Sequence, residues 1–479
     1  MSRVVALVAA LLLAGPGCLL SPTREREQGR QAAEQVEAWL GLVEDPALVD
    51  YLRGVGARLA EQSSRQDVAY RFSIVNRPEP NAFALPGGHI YVSRGMLVLL
   101  NTEDELANVL AHEIGHIAAR HHLKSQVRRW AVLPLDIVSG LGAFATSVVS
   151  PQLGSTLGGF TALPGALALA SYSRGQEREA DQLGQQIAAS AGWSPAGMAS
   201  AMDALTREAG LRGEQARRES FLDSHPTSPE RSADAARRAQ SLERAPLDPI
   251  SPSPRAFLER LDGLLVGESA AEGVFDGVRF LHPDLGFALS FPDQWETHNS
   301  PILVAARSAE GDFAALQLAG PGDDPLATAK AFIEEGVPLV SGPQPTRVGD
   351  LSAAHAVARA PEQSLADLTW IASGGSVYLI AGVAAEARFE ALRPLLRAVA
   401  QSFAPITALE RARVREARLR VVALREGETL EELLSRVGST WSAEEASSVN
   451  ALQAGNRAAA GRQLKIALPE PYPGVSARP

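Results

Sequence analysis

Two histidines and a glutamate in the run His112-Glu113-Ile114-Gly115-His116 have the types and spacing that suit metal-dependent hydrolysis. Residues four apart lie on one face of an α-helix with their Cβ atoms about 6 Å apart, so both imidazoles can reach one metal ion. Zinc is the usual occupant of such a pair. Glu113 can reach a water at that metal and act as its general base. Because so short a motif can arise by chance, its surroundings must also fit.

The flanking residues predict a buried helix around this motif. Thr102 can cap the N-terminus of the helix, and Glu105 three residues later can complete a capping box. Gly115 costs about 1 kcal/mol relative to alanine inside a helix, which indicates that another element approaches closely there. The alternative is a buried helix whose two histidines are merely hydrogen-bonded. Apolar residues recur at helical spacing and predict a buried stripe: Leu106, Val109, Leu110, Ile114 and Ile117.

A catalytic zinc needs a third protein ligand and an open fourth position. The best candidate is Glu177, which follows the second histidine by 177 − 116 = 61 residues. Glu177 and Asp181 share a helical face, so one can bind the metal while the other accepts the N–H of a ligand imidazole and fixes its tautomer. Glu179 is the rival ligand, but it points about 160° away from the row of Asp181. A solvated, charged helix face is the alternative for this segment taken alone.

A set of linked motifs extends over roughly residues 25–240. The motifs are Asn81-Ala82-Phe83, Gly87-Gly88, His112-Glu-x-x-His116, Glu177-x-x-x-Asp181, His225-Pro226 and Arg231. Together they resemble the CaaX prenyl protease / HtpX family of gluzincin metallopeptidases, and most of all its soluble periplasmic branch typified by BepA and LoiP. The resemblance implies three zinc ligands, a general base and an orienting carboxylate: His112, His116 and Glu177, then Glu113, then Asp181 beside His112.

The same resemblance implies that His225 and Arg231 lie beside the zinc. The histidine would stabilise the oxyanion or, in a resting form, occupy the open zinc position. A simple helix-entry turn is the alternative for His225-Pro226. His121 and His122 are expected to be exposed at the end of the active-site helix, where positive charge suits the helix dipole.

Peptide hydrolysis is the chemistry that such a site performs. Glu113 would take a proton from the attacking water and return it to the leaving amine, while the developing oxyanion is stabilised by the metal and by His225 and Arg231. Residues 70–75 and 83–92 read as strands, and the turn at 86–88 divides the second segment into two strand pieces. An edge strand beside such a site can bind an extended peptide by strand addition. In the resembled family the strand of Asn81, Ala82 and Phe83 has this role, although an ordinary hairpin fits these residues equally well.

Residues 1–18 predict export from a bacterial cytoplasm. Arg3 precedes an apolar run over 4–13 and then small residues up to Cys18, which is typical of a signal peptide. Cys18 is the only cysteine and lies where a bacterial lipoprotein is cleaved and acylated. Plain secretion is the alternative, because Gly15 stands where leucine is usual. We therefore expect a periplasmic protein, anchored to the outer membrane by lipid or soluble.

Composition sets broad limits on the function. A length of 479 residues predicts about three domains. The net charge of −10 argues against a nucleic-acid partner.

Residues 130–170 are apolar but interrupted by glycine and proline, and they lack a clean apolar run long enough to span a bilayer. We expect a mobile, partly helical lid there, with peripheral membrane contact as the alternative.

The sequence predicts a multidomain chain. A mainly α-helical, zincin-type α+β metallopeptidase domain with a short edge-strand sheet spans 24–244, and a proline-rich linker spans 245–254. Residues 255–405 predict an α+β domain with an antiparallel sheet that faintly resembles PsbP-like domains. Its expected strands lie at 313–319, 354–359, 367–373 and 376–383. Residues 418–470 resemble a LysM module of βααβ type, which implies peptidoglycan binding; a small module for packing or protein contact is the alternative.

Two functions remain. In the first, the chain is a zinc endopeptidase of the cell envelope that hydrolyses misfolded or misassembled envelope proteins. In the second, it is a chaperone-like assembly factor of the outer membrane, tethered to lipid and glycan, with slow or latent proteolysis. A glycan-remodelling enzyme would need paired carboxylates in a sugar cleft, and the sequence offers none that we can identify.

Overall fold

The computed structural model describes residues 22–121, 172–212, 221, 225, 229–300, 303–334, 336–360, 363–452 and 460–474. These residues form two compact units, one containing the described residues up to 262 together with 444–452, the other containing 263–443 and 460–474. Cys18 and the expected lid at 130–170 lie outside the described residues. Among the helices within these ranges, none combines the length and the apolar character that a membrane crossing requires.

The first unit packs helices against a small sheet. Its helices are α1 (Pro22–Leu40), α2 (Pro46–Ala60), α3 (Arg94–Leu99), α4 (Glu103–Ala118), α5 (Arg174–Ser190), α6 (Gly197–Arg212), α7 (Pro229–Ala239) and α8 (Pro254–Leu261). Its strands are β1 (Arg71–Val75), β2 (Ala82–Leu85) and β3 (His89–Ser93). Strand β3 lies in the centre, parallel to β1 and antiparallel to β2, so β2 lies at an edge of the sheet that the described residues form. The turn at Pro86–Gly88 joins β2 to β3, and its Gly87 has a φ of 77° that favours glycine.

Helix α4 begins and is buried much as its sequence predicts. Thr102 Oγ1 accepts a hydrogen bond from the backbone N–H of Glu105 at 3.2 Å. The Glu105 carboxylate accepts from the backbone N–H of Asn101 at 2.6 Å rather than from Thr102, so it satisfies a donor one residue earlier than the expected capping box. The predicted apolar stripe is fully buried: Leu106, Val109, Leu110, Ile114 and Ile117.

The proline-rich segment after α7 has neither helix nor strand before α8 begins at Pro254. It is nevertheless anchored to the first unit, because the backbone N–H groups of Ile250 and Ser251 donate to the carboxylate of Glu103. Helix α8 also belongs to this unit, so the second unit starts at residue 263.

The second unit is built on a large antiparallel sheet. Its strands are β8 (Glu296–Ser300), β9 (Leu303–Arg307), β10 (Phe313–Pro321), β11 (Leu339–Val348), β12 (Leu351–Ala360), β13 (Ser364–Ser373) and β14 (Ser376–Ala385). They lie in the order β11-β12-β13-β14-β10-β9-β8. A smaller sheet in the order β15-β7-β6-β5 contains β5 (Val274–Asp276), β6 (Arg279–His282), β7 (Phe287–Ser290) and β15 (Ala404–Pro405). Both faces of the large sheet are buried. Trp370 packs with Phe332 of α9 (Pro325–Glu334), while the next residue, Ile371, packs with Val399 of α10 (Glu386–Gln401).

The antiparallel α+β architecture predicted for this region is therefore present, and the four expected strands fall within β10, β12, β13 and β14. After the short helix α11 (Ala408–Arg413) the chain continues as strand, helix, helix and strand: β16 (Arg415–Ala423), α12 (Leu430–Val437), α13 (Ala443–Val449) and β17 (Gln463–Pro471). Strands β16 and β17 pair antiparallel, and β16 also pairs with the short strand β4 (Leu265–Val266).

Candidate metal centre

Helices α4 and α5 bring three of the predicted metal ligands together. Helix α4 carries His112 and His116 one turn apart, and α5 carries Glu177 in its first turn. Ser173 begins α5 with a full capping box, in which its side chain and that of Gln176 each accept a backbone N–H of the other residue. His225 lies in the same cluster, and the metal-binding atoms of these four buried residues all lie within 4.8 Å of one another.

Two glycines allow these helices to approach closely. A Cβ added to Gly115 of α4 would lie 3.0 Å from the carbonyl oxygen of Ala180. A Cβ added to Gly184 of α5 would lie 2.9 Å from the backbone nitrogen of His112. The close approach that Gly115 predicted is thus confirmed, and Gly184 is its counterpart on the other helix.

The donor set fits a small divalent cation. Nε2 of His112 lies 3.0 Å from Nε2 of His116 and 3.2 Å from Nδ1 of His225. The Glu177 carboxylate lies 3.0 Å from His225, 3.4 Å from His116 and 3.6 Å from His112. Zinc bonds of about 2.0–2.1 Å in a tetrahedron place ligand atoms about 3.3 Å apart. Lone pairs of neutral imidazoles that face one another at these distances repel unless a positive charge lies between them, so the geometry suits a metal ion.

Glu113, the predicted general base, lies beside the cluster. Its side chain is fully buried, and within the described part of the chain neither carboxylate oxygen has a hydrogen-bond partner. Its Oε1 lies 3.6 Å from Nε2 of His225. Burial of an unpaired carboxylate is unfavourable, so such a group is expected where a ligand or substrate will contact it.

Asp181 and Arg231 contact the predicted ligands His112 and Glu177. Asp181 Oδ1 lies 3.1 Å from Nδ1 of His112, which orients that ring with Nε2 toward the cluster. Arg231 of α7 donates from Nε and Nη2 to Asp181 at 2.8 Å each, and its Nη1 lies 2.9 Å from Oε2 of Glu177. The family resemblance predicts that Arg231 faces the developing oxyanion. Its planar donor fork instead engages these two buried carboxylates, because a cation between them offsets the cost of their burial.

His121 corrects another expectation. It is fully buried rather than exposed, with Nδ1 2.9 Å from Nδ1 of His116 and Nε2 3.1 Å from Oε2 of Glu179. Glu179 does point away from the ligand cluster, and its side chain is 52% exposed. The prediction of exposure assumes that His121 lies at the end of the active-site helix, whereas that helix ends at Ala118 and the backbone leaves the helical conformation at Arg120. His122 lies outside the described residues.

Aromatic rings enclose the cluster. Tyr172 stacks on His116 with ring centroids 3.9 Å apart, and Phe221 stacks on His225 at 4.3 Å. Neither ring was singled out from the sequence, because their packing depends on how distant segments meet. Their contacts limit the rotation of the His116 and His225 rings.

The predicted substrate strand lies at the edge of the small sheet. Ala82 and Phe83 begin β2, and the backbone of Asn81 bonds to Ser93 through its N–H and its carbonyl oxygen. Phe83 stacks on Tyr91 of β3 with a centroid distance of 5.1 Å. The backbone N–H of Phe221 donates to the carbonyl oxygen of Pro80 at 2.9 Å, so the segment that carries His225 contacts the residue just before Asn81.

The electrostatics of the site favour a neutral imidazole at His116 and an ionised carboxylate at Asp181. Burial lowers the pKa of His116 well below its ordinary value, with repulsion from its basic neighbours adding to the effect. Burial alone would raise the pKa of Asp181, but hydrogen bonds from His112 and Arg231 outweigh it and bring the pKa to about 2. Burial raises the pKa of Glu113 against the opposing charges of His225 and His112. A base with a raised pKa is the kind that accepts and returns a proton near neutral pH.

Residues 46–239 match the model of peptidase family M48. The chain is 30% identical over 231 residues to the beta-barrel assembly-enhancing protease of Escherichia coli K12, covering 47% of this chain and 46% of that protein. It is 31% identical over 181 residues to the mitochondrial metalloendopeptidase OMA1 of Schizosaccharomyces pombe, covering 38% and 50%. Metalloprotease LoiP of Escherichia coli K12 is 29% identical over 215 residues, covering 44% of this chain and 79% of that protein. The chain thus spans about half the length of the first of these relatives.

The solved structure of cyanobacterial PsbP from Synechocystis aligns with 29% of this chain and 98% of that protein at 14% identity. Its TM-score of 0.22 is too low to carry an argument about fold or function.

Proposed function

We propose that this metallopeptidase, whose residues 46–239 form a domain of peptidase family M48, is a zinc-dependent endopeptidase of the bacterial cell envelope. The observation that carries the proposal is the buried cluster of His112, His116, Glu177 and His225 with Glu113 beside it. A His₂Glu set on two helices is a donor set that favours zinc over other divalent ions.

His112, His116 and Glu177 would hold the zinc, and Asp181 and Arg231 would keep the ligand atoms directed at it. Bound zinc would supply Lewis acidity toward water and toward the substrate carbonyl. Glu113 accepts the proton of the attacking water and returns it to the leaving amine. His225, whose Nε2 faces Glu113, is the donor in this cluster that can approach the developing oxyanion.

The substrate class we propose is unfolded or misassembled envelope protein. Strand β2 lies at the edge of the small sheet that the described residues form, and it packs against the metal-binding helix α4. An extended chain could add to this edge by backbone hydrogen bonding, which depends little on the sequence bound and so suits quality control of varied substrates. The name of the Escherichia coli relative, beta-barrel assembly-enhancing protease, supports an envelope role.

A latent form of this activity is the second candidate, and His225 supports it. Its Nδ1 lies among the ligand atoms, 3.0 Å from Glu177 and 3.2 Å from His112. It can therefore act as a fourth ligand, in the position that a hydrolytic zinc leaves open. The Phe221–Pro80 bond also brings the same segment to the start of the predicted substrate strand. In this form the chain would act mainly as an assembly factor until a substrate or partner displaces His225.

We further propose that the chain is tethered within the envelope. A lipid on Cys18 would anchor it to the outer membrane, and residues 418–470 would bind peptidoglycan as a LysM module. The order β16, α12, α13, β17 with antiparallel pairing of the two strands supports the LysM assignment. Sedimentation of the purified chain with peptidoglycan sacculi tests this tether, with a chain truncated before β16 as the control.

Zinc content and cleavage of unfolded casein test the peptidase itself. We expect one zinc per chain and measurable cleavage, and we expect Glu113→Gln to keep the zinc and lose cleavage. Glu230→Gln removes an exposed carboxylate of the same unit and should change neither. Zinc without cleavage in any variant would favour the assembly factor, and a chain that takes up no zinc would overturn the site assignment.

A further inference from the structure

The chain turns sharply after the metal-binding helix and returns a buried histidine to it. Helix α4 ends at Ala118, and Arg120 then has a φ of 55°, in the left-handed region that residues with a Cβ seldom adopt. The turn places His121 beneath His116, with the two Nδ1 atoms 2.9 Å apart. A conformation so unfavourable for arginine indicates that the contact it permits is important.

Hydrogen-bond chemistry assigns one tautomer to each ring in this chain of contacts. Nε2 of His116 faces Nε2 of His112 at 3.0 Å and belongs to the donor cluster, so it must carry a lone pair. The proton of neutral His116 then lies on Nδ1 and is donated to Nδ1 of His121. The proton of His121 consequently lies on Nε2, which donates to Oε2 of Glu179 at 3.1 Å.

Different side chains therefore orient the rings of His112 and His116. Nδ1 of His112 is directed by Asp181, which is itself held by Arg231. Nδ1 of His116 is directed by His121, which is held by Glu179. Stacking on Tyr172 limits the tilt of the His116 ring but cannot fix its tautomer.

We propose that His121, held by Glu179, is the positioning residue that fixes the tautomer and orientation of His116 for metal binding. The inference rests on the metal-site function proposed above and deepens it. His121 does not contact the metal in this role, because both of its ring nitrogens are engaged with His116 and Glu179.

Zinc affinity of the full chain is the decisive measurement, by competition with a chromophoric chelator. His121→Ala should weaken zinc binding by about 10- to 100-fold, the range for loss of a group that orients a ligand. His121→Asn should recover most of that loss, since its amide oxygen can accept from Nδ1 of His116. Glu179→Ala should weaken binding by only a few-fold, because this carboxylate is half exposed and water can replace it.

Two controls separate positioning from general damage. His89→Ala removes another buried histidine of the same unit that lies outside the cluster, and Glu230→Ala removes an exposed carboxylate that pairs with Arg178 of α5. Neither should alter zinc affinity. Visible spectra of the cobalt-substituted chain should change in His121→Ala and return toward the original in His121→Asn.

Equal zinc affinity in the unmodified chain, His121→Ala and Glu179→Ala would overturn the inference and leave the peptidase intact. Equal losses in His121→Ala and His121→Asn would also overturn it, because a packing role would not be rescued by a hydrogen-bond acceptor. If His121→Ala does not fold, the comparison of Glu179→Ala with the original chain and His121→Asn decides. A lower zinc affinity in Glu179→Ala supports the inference, and an unchanged affinity overturns it. A wild-type chain that binds no zinc would overturn the proposed function itself, and this inference with it.

Discussion

The indole N–H of Trp193 donates a 2.7 Å hydrogen bond to Oε1 of Glu103, and both side chains are buried. The same carboxylate accepts from the hydroxyl of Tyr51 at 2.8 Å and from the backbone N–H groups of Ile250 and Ser251. Glu103 is the first residue of α4. One carboxylate therefore ties the metal-binding helix to α2, to the loop after α5 and to the proline-rich segment, and its charge suits the helix N-terminus.

Replacement of Glu103 should destabilise the first unit strongly. In Glu103→Ala several buried donors lose their acceptor, and each unsatisfied donor costs about 1–3 kcal/mol. We expect the free energy of unfolding to fall by about 3 kcal/mol or more, measured by urea denaturation of the full chain. Asp50→Ala is the control, because its ion pair with Arg53 is exposed and should be worth less than about 1 kcal/mol. Equal losses in the two variants would show that the Glu103 network is not a major anchor.

The sequence was most informative where a regular element fixes the directions of side chains. Spacing along α4 and α5 sufficed to place His112, His116 and Glu177 on facing surfaces, and alternation located the long strands of the second unit. The cluster as a whole required information from distant segments, and His225 entered only through a family resemblance.

Sequence reasoning failed where local periodicity ends or where several carboxylates compete for one cation. His121 is buried because Arg120 leaves the helical conformation, which no residue type at that position indicates. Arg231 contacts Asp181 and Glu177 because α7 packs beside α5, a tertiary relationship that a motif does not encode. His121 contacts His116 instead of solvent. Arg231 contacts Glu177 and Asp181 instead of facing the oxyanion.

The approach of α4 and α5 gives a second prediction. In Gly184→Ala the new Cβ would meet backbone atoms of Ala111 and His112 at 2.9–3.1 Å, and backbone cannot move aside cheaply. We expect a loss of about 1–3 kcal/mol in stability, as for overpacked cores, together with weaker zinc binding.

Gly210→Ala is the matched control for that variant. It lies in helix α6, and among the described residues its added Cβ would meet nothing within 4 Å. Alanine has the better helix propensity, so this variant should gain about 0.5–1 kcal/mol. Thermal unfolding of both variants checks the pair, and a neutral Gly184→Ala would show that the two helices can separate without cost.

The bidentate contact of Arg231 gives a third prediction. Arg231→Lys keeps the positive charge but cannot reproduce the two parallel bonds to Asp181 while reaching Glu177. We expect zinc affinity to fall by about 10-fold or more. Arg237→Lys, an exposed position on the same helix, should leave the affinity unchanged. A retained affinity in Arg231→Lys would mean that charge alone supports the ligands.

His282 gives the second unit a specific pH dependence. Burial lowers its pKa to about 4, against a smaller opposing effect of Asp284. Between pH 6.5 and 4 the unfolded chain binds more protons at this position than the folded chain, so stability falls as the pH drops through that window and levels off below it. The full pKa shift corresponds to a loss of about 3 kcal/mol in the free energy of unfolding. We expect a loss of about 2 kcal/mol, because part of the ring contacts solvent.

The measurement is the free energy of unfolding of the second unit, obtained by urea denaturation at pH 7 and at pH 4.5, in the original chain and in His282→Gln. The substitution should reduce the pH-dependent loss, while other titrating groups contribute equally to both chains. Identical pH dependence in the two chains would show that His282 titrates normally in the folded protein.

His225 gives the last prediction, and it separates the two functional candidates. If its Nδ1 competes for the open ligand position, His225→Ala should raise cleavage of unfolded casein several-fold and weaken zinc binding by about 10-fold, because one of four donors is lost. Phe221→Leu keeps an apolar side chain but loses the stacking on His225, and should raise cleavage less. Lower cleavage in His225→Ala with unchanged zinc affinity would contradict latency. It would assign His225 to the oxyanion, since removing a donor that acts only in the transition state lowers the rate without weakening the ground state.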